Sequence, residues 1–383
     1  MPITEPVPLS ELTTLRVGGV PARMVTPETE QDLVDTALAV WASGDEWMLL
    51  GGGSNTVASD DGFEGTVIRV VTRGVSVVEP APGPGRVTLR VHAGEPWDDL
   101  VAFAALRGWS GIEALSGIPG SSGAAPVQNI GAYGQELSSS LVAIDFLDYE
   151  TGERRRMEAE ELALGYRTSA LKHGLRGIVL AIELTLHDTT AEASVLGSAL
   201  SGPVAYAQLA GALGVQLGDR VPISALRDTV LALRASKGMV LDASDPDTAS
   251  AGSFFTNPIV TEHFARSLPA SAPRWVIKPD TEPTDRVIPL SEYAGVGPIP
   301  GSAHVRLVKL SAAWLIENAG ISRGFRLPGS RAAVSSKHTL ALTNTGGATA
   351  EEIAELARYV QGRVLAEFGA LLQPEPVLVG LTL

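Results

Sequence analysis

Hydrophobic and polar positions in the first third of the chain change period repeatedly, which predicts helices and strands in alternation. Apolar residues recur at helical spacing between Thr26, a potential N-cap, and Gly44, where the helix would end. Residues 47–50 and 66–71 are short apolar runs, and residues 87–93 alternate apolar with polar side chains. We therefore expect a unit that combines one helix with at least three strands.

The middle of the chain continues with both kinds of element. We predict a helix over residues 96–107, a β-hairpin over 141–157 and a nearly continuous apolar strand over 177–186. The pattern loosens over residues 189–218, and an amphipathic helix is predicted over 223–234. We place the main domain boundary at the end of the loosened stretch.

The C-terminal part contains one weakly patterned and one strongly patterned segment. The proline-rich stretch 261–302 keeps no period and is predicted to be irregular and exposed. A short helix is expected over residues 311–319. Thr349 and Glu352 match a capping box ahead of an apolar stripe, which predicts a longer helix, and residues 377–383 are predicted to form a final strand.

Composition restricts the class of protein without identifying its function. The 383 residues carry a formal net charge of −14, so electrostatic repulsion argues against nucleic acid or an anionic membrane as partner. The absence of cysteine excludes disulfides and thiolate metal sites, and because the six histidines form no HExxH pattern we predict no metal site. With no signal-like N-terminus and no apolar run of ~20 residues, we expect a cytoplasmic protein. We also expect a monomer.

Residues 51–55 (GGGSN), here called the first glycine loop, follow a predicted strand and form a candidate phosphate site. Their backbone N–H groups could approach a pyrophosphate with no Cβ in the way. The dinucleotide motif GxGxxG is not matched, because Thr56 replaces the third glycine and no helix is predicted to follow. A tight surface turn is the alternative for this segment alone.

Residues 116–134 (SGIPGSSGAAPVQNIGAYG), here called the second glycine loop, have no helical or strand period. A loop of this length inside a compact domain is usually functional. Its glycines and small hydroxyl side chains suit a ligand that lies flat against the main chain, while Ile118, Val127, Ile130 and Tyr133 could anchor it. A disordered linker is the alternative, and we favour the ligand site.

Three residues lie in turns where they could carry chemistry. Arg167 lies in GYRTS, Ser253 in AGSFFTNP, and Glu375 between two prolines ahead of the final strand. The alternatives are a surface arginine, a turn beside core phenylalanines and a solvated linker, respectively. Arg234 and Lys237 lie near a helix end, where they could simply complement the helix dipole.

Taken together, these segments resemble the UDP-N-acetylenolpyruvoylglucosamine reductase family. The motifs that carry the resemblance are residues 51–55 (GGGSN), 118–134 (IPGSSGAAPVQNIGAYG), 165–172 (GYRTSALK), 251–258 (AGSFFTNP), 309–320 (KLSAAWLIENAG) and Pro374-Glu375. The resemblance implies an α+β fold with a two-subdomain FAD-binding domain, similar to that of vanillyl-alcohol oxidase (PCMH type), and an α+β substrate-binding domain. The implied subdomains span residues 1–72 and 73–220, the substrate-binding domain spans 221–372, and residues 373–383 form a strand that returns to the active site.

The resemblance also implies the site residues. Arg167, Ser253 and Glu375 are similar to the family's catalytic residues. The implied FAD-binding residues are Gly51, Gly52, Gly53, Ser54, Asn55, Gly117, Pro119, Gly120, Ser121, Ser122, Gly123, Ala124, Gln128, Asn129, Gly131, Ala132 and Tyr133. The implied substrate-binding residues are Tyr206, Arg234, Lys237, Asn257, Lys309 and His338.

The implied activity is the NADPH-dependent reduction of UDP-N-acetylglucosamine enolpyruvate to UDP-N-acetylmuramate in peptidoglycan biosynthesis, with hydride transfer through FAD and protonation by Ser253. Arg167 would stabilise the charge that develops on the substrate carboxylate. Glu375 would need a raised pKa to supply a proton. Two alternatives remain: an FAD-dependent alcohol or sugar oxidase of the vanillyl-alcohol oxidase type, and a catalytically inactive UDP-sugar-binding protein.

Overall fold

A computed structural model describes residues 3–277 and 306–383. The stretch 261–302 that was expected to be irregular and exposed lies partly outside the described residues, at 278–302. Its described part is more regular than expected, because it contains a short helix and a strand. Among the described helices, none is both long and apolar enough to cross a lipid bilayer.

The N-terminal unit is a small sheet covered by one helix. Its elements are β1 (Ile3–Thr4), β2 (Pro21–Val25), α1 (Glu30–Ser43), β3 (Trp47–Leu50), β4 (Thr56–Ala58) and β5 (Phe63–Arg69). The sheet has the strand order β1-β2-β5-β3, and β5 runs parallel to both of its neighbours. Leu33, Ala37 and Val40 of α1 are buried against Val25 and Ile68 of this sheet.

The predicted start of α1 was wrong by three residues. The Thr29 hydroxyl caps the helix by accepting a hydrogen bond from the backbone N–H of Asp32 at 3.1 Å, and Thr26 lies outside the helix. Both threonines fit the N-cap preference, but only Thr29 accepts the capping hydrogen bond, from the N–H of Asp32. The predicted end was correct, since Gly44 closes the helix with a φ of +74°.

The second unit is an antiparallel sheet with a helix packed on it. Its elements are β6 (Val75–Val78), β7 (Arg86–His92), α2 (Trp97–Leu106), β8 (Trp109–Ser110), β9 (Gly131–Ala132), β10 (Gln135–Glu136), β11 (Leu141–Asp148), β12 (Arg154–Glu158) and β13 (Gly177–Asp188). The strand order is β12-β11-β13-β7-β6, and β8 also pairs with β13. The predicted helix 96–107, the hairpin and the long apolar strand are therefore confirmed.

The second glycine loop is more regular than its sequence pattern predicts. It contains a 3-10 helix, Ser122–Gln128, and β9. The start of α2 anchors it, because the backbone N–H of Trp97 donates to the Gly120 carbonyl at 3.0 Å and the N–H of Ser122 donates to the Glu95 carbonyl at 2.8 Å. Tertiary hydrogen bonds of this kind leave no period in the sequence.

Three helices connect the second unit to the C-terminal domain. They are α3 (Thr190–Leu196), α4 (Ala207–Leu213) and α5 (Ile223–Ala235). Leu226 and Val230 of α5 share a buried cluster with Val204 and with Ala114 of the second unit. This packing differs from the expected division between residues 220 and 221, because α5 covers the second unit and contributes no residue to the C-terminal cluster.

The C-terminal domain is built around a long helix. Its elements are β14 (Ile259–Thr261), α6 (Glu262–Ser267), β15 (Arg274–Val276), β16 (Leu307–Leu310), α7 (Ala312–Asn318), β17 (Ala332–Val334), β18 (Leu342–Asn344), α8 (Ala350–Phe368) and β19 (Val377–Val379). Both hydrogen bonds of the predicted Thr349–Glu352 capping box are present at the start of α8. The final strand, β19, is shorter than predicted. It pairs in parallel with β4 of the N-terminal unit, the strand that directly follows the first glycine loop.

Candidate active site

A cleft of about 560 Å³ lies where the first two units meet the C-terminal domain. A volume of this size is usual for small-molecule sites. The cleft is lined by all of the expected site residues except Gly117, Ser122, Asn129, Asn257 and Lys309. Both glycine loops and the three expected catalytic residues therefore share one cavity, although they come from distant parts of the sequence.

The first glycine loop packs directly on the second. A Cβ added to Gly52 would lie 2.6 Å from the Cα of Gly120, and one added to Gly51 would lie 2.3 Å from Ser121 Oγ. The Ser54 hydroxyl donates a hydrogen bond to the Pro119 carbonyl at 2.9 Å. Glycine is therefore required here by contact between the loops as well as by access to the cleft, and this segment is not a free surface turn.

Asn55 ties the first glycine loop to the C-terminal segment. Its amide nitrogen donates to Gln128 Oε1 at 2.8 Å and to the Glu375 carbonyl at 3.2 Å. Its own carbonyl accepts the backbone N–H of Val377 at 2.8 Å. Through these bonds the chain end, 320 residues away from Asn55, brings the Glu375 side chain to the cleft.

Ser253 reaches the cleft from a turn whose aromatic neighbours are buried. The rings of Phe254 and Phe255 meet edge to face with centroids 5.2 Å apart, and both side chains are 1% exposed. The Phe254 carbonyl accepts the backbone N–H of Glu375 at 2.9 Å. Ser253 therefore both lies in a turn beside core phenylalanines and lines the cleft, because the buried phenylalanines anchor the turn.

Arg167 and Glu375 form the charged centre of the cleft. Arg167 Nε lies 3.3 Å from Glu375 Oε1, and the terminal nitrogens of the guanidinium donate to the carbonyls of Gly131 at 2.9 Å and Asn129 at 3.4 Å. Arg167 has a φ of +54°, which is unusual for a non-glycine residue. Burial raises the pKa of Glu375, although the positive charges of Arg167 and Lys172 oppose the rise. A carboxyl group with raised proton affinity therefore lies against a fixed guanidinium.

Two further cations stand at the C-terminal end of α5. Burial lowers the pKa of both Arg234 and Lys237. The Lys237 ammonium lies 5.4 Å from the centroid of the Tyr133 ring and donates to Gln208 Oε1 at 2.9 Å. Within residues 3–277 and 306–383, the buried Nε of Arg234 has no hydrogen-bond partner. A buried donor without a partner is costly, so this end of the cleft suits an anionic ligand.

Tyr206 and His338 line the same end of the cleft. The Tyr206 ring is 46% exposed and meets the Tyr133 ring edge to face, with centroids 5.8 Å apart. Burial lowers the pKa of His338 to about 4, and the positive charges of Lys237 and Arg323 contribute to this shift. His338 is therefore neutral at physiological pH.

Three of the expected FAD-binding residues hold the second glycine loop without lining the cleft. The backbone N–H of Gly117 donates to Asp98 Oδ1 at 2.6 Å. Ser122 is completely buried in the 3-10 helix. Asn129 faces inward, where its amide nitrogen donates to the Gly165 carbonyl at 3.1 Å. These residues support the loop on the side that faces away from the cleft. A sequence motif does not distinguish such a supporting residue from one that lines the cleft.

Asn257 and Lys309 also lie outside the cleft. Asn257 Oδ1 accepts the backbone N–H of Ala312 at the start of α7, at 2.9 Å. The Lys309 ammonium lies 4.7 Å from the centroid of the Tyr166 ring, and Tyr166 directly precedes Arg167. Asn257 therefore fixes the start of α7, and Lys309 lies beside the segment that carries Arg167.

One wall of the cleft is apolar and was missed by the sequence pattern, because its strand is indistinguishable from a core strand. It consists of Leu171, Leu175, Gly177, Ile178 and Val179. The sequence signal that could have revealed this wall is the glycine at the start of the apolar run, Gly177, since a glycine in a strand often marks a close approach of another group. In the structure its φ is +155°, and a Cβ there would lie 2.3 Å from the Leu147 carbonyl oxygen.

Comparison with protein-family models matches two regions of the chain. Residues 21–158 match a model described as an FAD binding domain. Residues 245–379 match the C-terminal domain of UDP-N-acetylenolpyruvoylglucosamine reductase. The second match begins after α5, in agreement with the packing of that helix on the second unit.

The chain matches relatives and a solved structure over nearly its full length. The UDP-N-acetylenolpyruvoylglucosamine reductase of Leifsonia xyli subsp. xyli is 62% identical over 100% of both chains. The enzyme of that name from Saccharopolyspora erythraea is 47% identical over 97% of this chain and 94% of its own. The crystal structure of UDP-N-acetylenolpyruvylglucosamine reductase from Thermus caldophilus aligns with a TM-score of 0.61 and 26% identity, covering 98% of this chain and 99% of that one. The chain therefore belongs to the UDP-N-acetylenolpyruvoylglucosamine reductase family of FAD-binding oxidoreductases.

Proposed function

We propose that this chain reduces UDP-N-acetylglucosamine enolpyruvate to UDP-N-acetylmuramate with NADPH as reductant and FAD as bound cofactor. The observation that carries the proposal is that one cleft combines two packed glycine loops with Arg167, Ser253 and Glu375. We assign the reaction to the cytoplasm and to cell-wall biosynthesis, and hence to the maintenance of cell shape and to division.

The cleft fits FAD. The glycine loops expose main chain to the cavity at positions where side chains would collide, which suits a long ligand held by backbone N–H groups. In this proposal the first glycine loop, residues 119–124 and residues 131–133 hold the cofactor. When bound, FAD supplies the hydride chemistry that amino-acid side chains lack.

Arg167 is suited to stabilise the substrate carboxylate as negative charge grows on it. A guanidinium has five N–H donors, and the contacts to Glu375, Gly131 and Asn129 use three of them. One donor on each terminal nitrogen remains for the substrate, so a two-point contact is possible. A donor of this kind typically contributes about 3 kcal/mol to transition-state stabilisation.

Ser253 and Glu375 are suited to deliver a proton. In the proposed reaction one carbon of the substrate double bond accepts the hydride, and the Ser253 hydroxyl gives its proton to the other carbon. The Ser253 oxygen must then be reprotonated. The Glu375 carboxyl, whose pKa burial raises, is able to supply that proton. The two residues reach the same cavity because Glu375 is hydrogen-bonded to the backbone of Phe254.

Arg234 and Lys237 are suited to bind the substrate diphosphate. Both positive charges lie at one end of the cleft. This end is therefore locally basic, although the chain as a whole has a formal net charge of −14. Tyr206 and His338 border the same end, whereas Asn257 and Lys309 lie outside the cleft, at the start of α7 and beside Tyr166.

An anaerobic experiment with the purified holoenzyme tests the proposal. NADPH is expected to bleach the flavin absorbance, and later addition of UDP-N-acetylglucosamine enolpyruvate is expected to restore it. Ser253→Ala is expected to keep the bleaching but to slow the recovery, and its matched control Ser267→Ala, on the exposed end of α6, should behave as the wild type. Oxygen consumption with simple alditols and no response to the UDP substrate would favour an oxidase, and a colourless protein would contradict the FAD assignment.

A further inference from the structure

Asp98, in the first turn of α2, joins the second glycine loop to α5. Its Oδ1 atom accepts the backbone N–H of Gly117 at 2.6 Å and a terminal N–H of Arg227 at 2.7 Å. Its Oδ2 atom accepts the other terminal nitrogen of Arg227 at 2.9 Å. One carboxylate thus holds a glycine of the loop and, through a two-point ion pair, a helix from a different part of the chain.

The second glycine loop and α5 touch at the point where Arg234 stands. Gly117 has a φ of +71°, and a Cβ there would lie 2.8 Å from Leu231 Cδ2 and 3.4 Å from Arg234 Nε. Arg227 and Arg234 are seven residues apart, which is two helical turns, so they project from the same face of α5. The ion pair with Asp98 therefore fixes the face of α5 that carries Arg234.

Little else holds the Arg234 guanidinium. Its one hydrogen bond to a described residue is the bond from a terminal nitrogen to the Met239 carbonyl, at 3.0 Å. Met239 lies only five residues further along the chain, so this bond moves with the helix end. The position of Arg234 in the cleft is consequently set by where α5 sits on the second unit.

Asp98 is ionised at the pH at which the enzyme works. Burial opposes ionisation, but the hydrogen bonds from Arg227 and Gly117 outweigh it and hold the pKa of Asp98 below its usual value. The Arg227 side chain is 16% exposed, so removal of the carboxylate charge would leave a largely buried guanidinium without its ion pair.

We propose that Asp98 is a positioning residue: through Arg227 it holds α5 against the second glycine loop and thereby aligns Arg234 for a diphosphate-bearing ligand. Asp98 itself does not line the cleft. The inference rests on the proposed role of Arg234 in binding the substrate diphosphate. It predicts that a change at Asp98 alters substrate affinity only while Arg234 is present.

A double-mutant cycle on the oxidised holoenzyme tests this, with binding of UDP-N-acetylglucosamine enolpyruvate measured by calorimetry in the absence of NADPH. Asp98→Asn is expected to weaken binding roughly tenfold while FAD content stays at the wild-type level. In the Arg234→Met background, the same change is expected to have no further effect. Asp99→Asn, which makes the same charge change at an exposed neighbour on α2, is the control and should bind as the wild type.

The outcomes separate the inference from the proposed function. Equal effects of Asp98→Asn with and without Arg234 would overturn the inference alone, because a purely structural role predicts additivity. No effect of Arg234→Met on binding would overturn the inference together with the proposed role of Arg234, whereas the proposed reaction is decided by the anaerobic flavin experiment. If Asp98→Asn does not fold, Arg227→Lys replaces it in the cycle, and wild-type affinity for that variant would refute the two-point link.

Discussion

His338 provides a test in which the size of the effect follows from the structure. Burial and the nearby positive charges of Lys237, Arg323 and Arg234 lower its pKa from 6.5 to about 4, while Glu317 opposes the shift. The unfolded chain binds a proton at His338 below pH 6.5, but the folded protein does so only near pH 4. The contribution of this residue to stability is therefore complete above pH 6.5 and is lost as the pH falls towards 4.

The magnitude follows from the shift. The full shift from 6.5 to about 4 corresponds to at most about 3–4 kcal/mol of unfolding free energy, because one pKa unit is worth about 1.4 kcal/mol. Between about pH 7.5 and 5.0 the expected loss is about 2 kcal/mol, and the partial exposure of the ring makes this an upper value. His338→Gln has no charge to acquire, so the variant should lose less stability than the wild type by up to this amount.

The assay is denaturant unfolding of the wild type and the variant at both pH values. The control is His263→Gln, which makes the same substitution at an exposed histidine on α6. Wild type and His338→Gln that lose equal stability between the two pH values would refute the reasoning. That result would mean that His338 titrates alike in the folded and unfolded chains.

Four further predictions concern individual residues. Ser253→Ala should keep flavin reduction by NADPH but slow reoxidation by the UDP substrate by about 10²-fold or more in stopped-flow measurements. Arg167→Lys should slow reoxidation nearly as much as Arg167→Ala, since an ammonium cannot make the two-point contact, and a near-wild-type rate would contradict this. Gly52→Ala should lower FAD content, because its Cβ would lie 2.6 Å from backbone, whereas Gly211→Ala, with no atom within 4 Å, should retain it. Thr349→Ala should lower the free energy of unfolding by about 1 kcal/mol through loss of the α8 cap, measured in denaturant.

The elements governed by local rules could be predicted from the sequence. The capping box and apolar stripe specify α8, and the alternation along β7 and the apolar run of β13 identify these strands. The failure at the start of α1 belongs to the same local scale, because Thr26 and Thr29 both satisfy the N-cap preference. Five of the six motif segments also meet in the cleft, whereas residues 309–320 lie outside it.

The tertiary structure decided which of these residues face the ligand and what their side chains can do. Asn129 and Asn257 lie in recognisable motifs but turn towards backbone groups, and α5 packs on the second unit instead of the C-terminal core.

By itself, the sequence determined the strongly patterned helices and strands, the two glycine loops and the residue types available for catalysis, but not α3, α4 or α6. Only the tertiary structure decided that Glu375 is buried beside Arg167, and it is the burial that raises the carboxyl pKa. Likewise, Gly52 has no room for a side chain because Gly120 lies against it. The physical reason is the sequence distance over which each interaction acts. Helix propensity and capping act over a few residues, whereas desolvation, close packing and converging charge arise from contacts between residues that are far apart in the chain, such as Asn55 and Glu375.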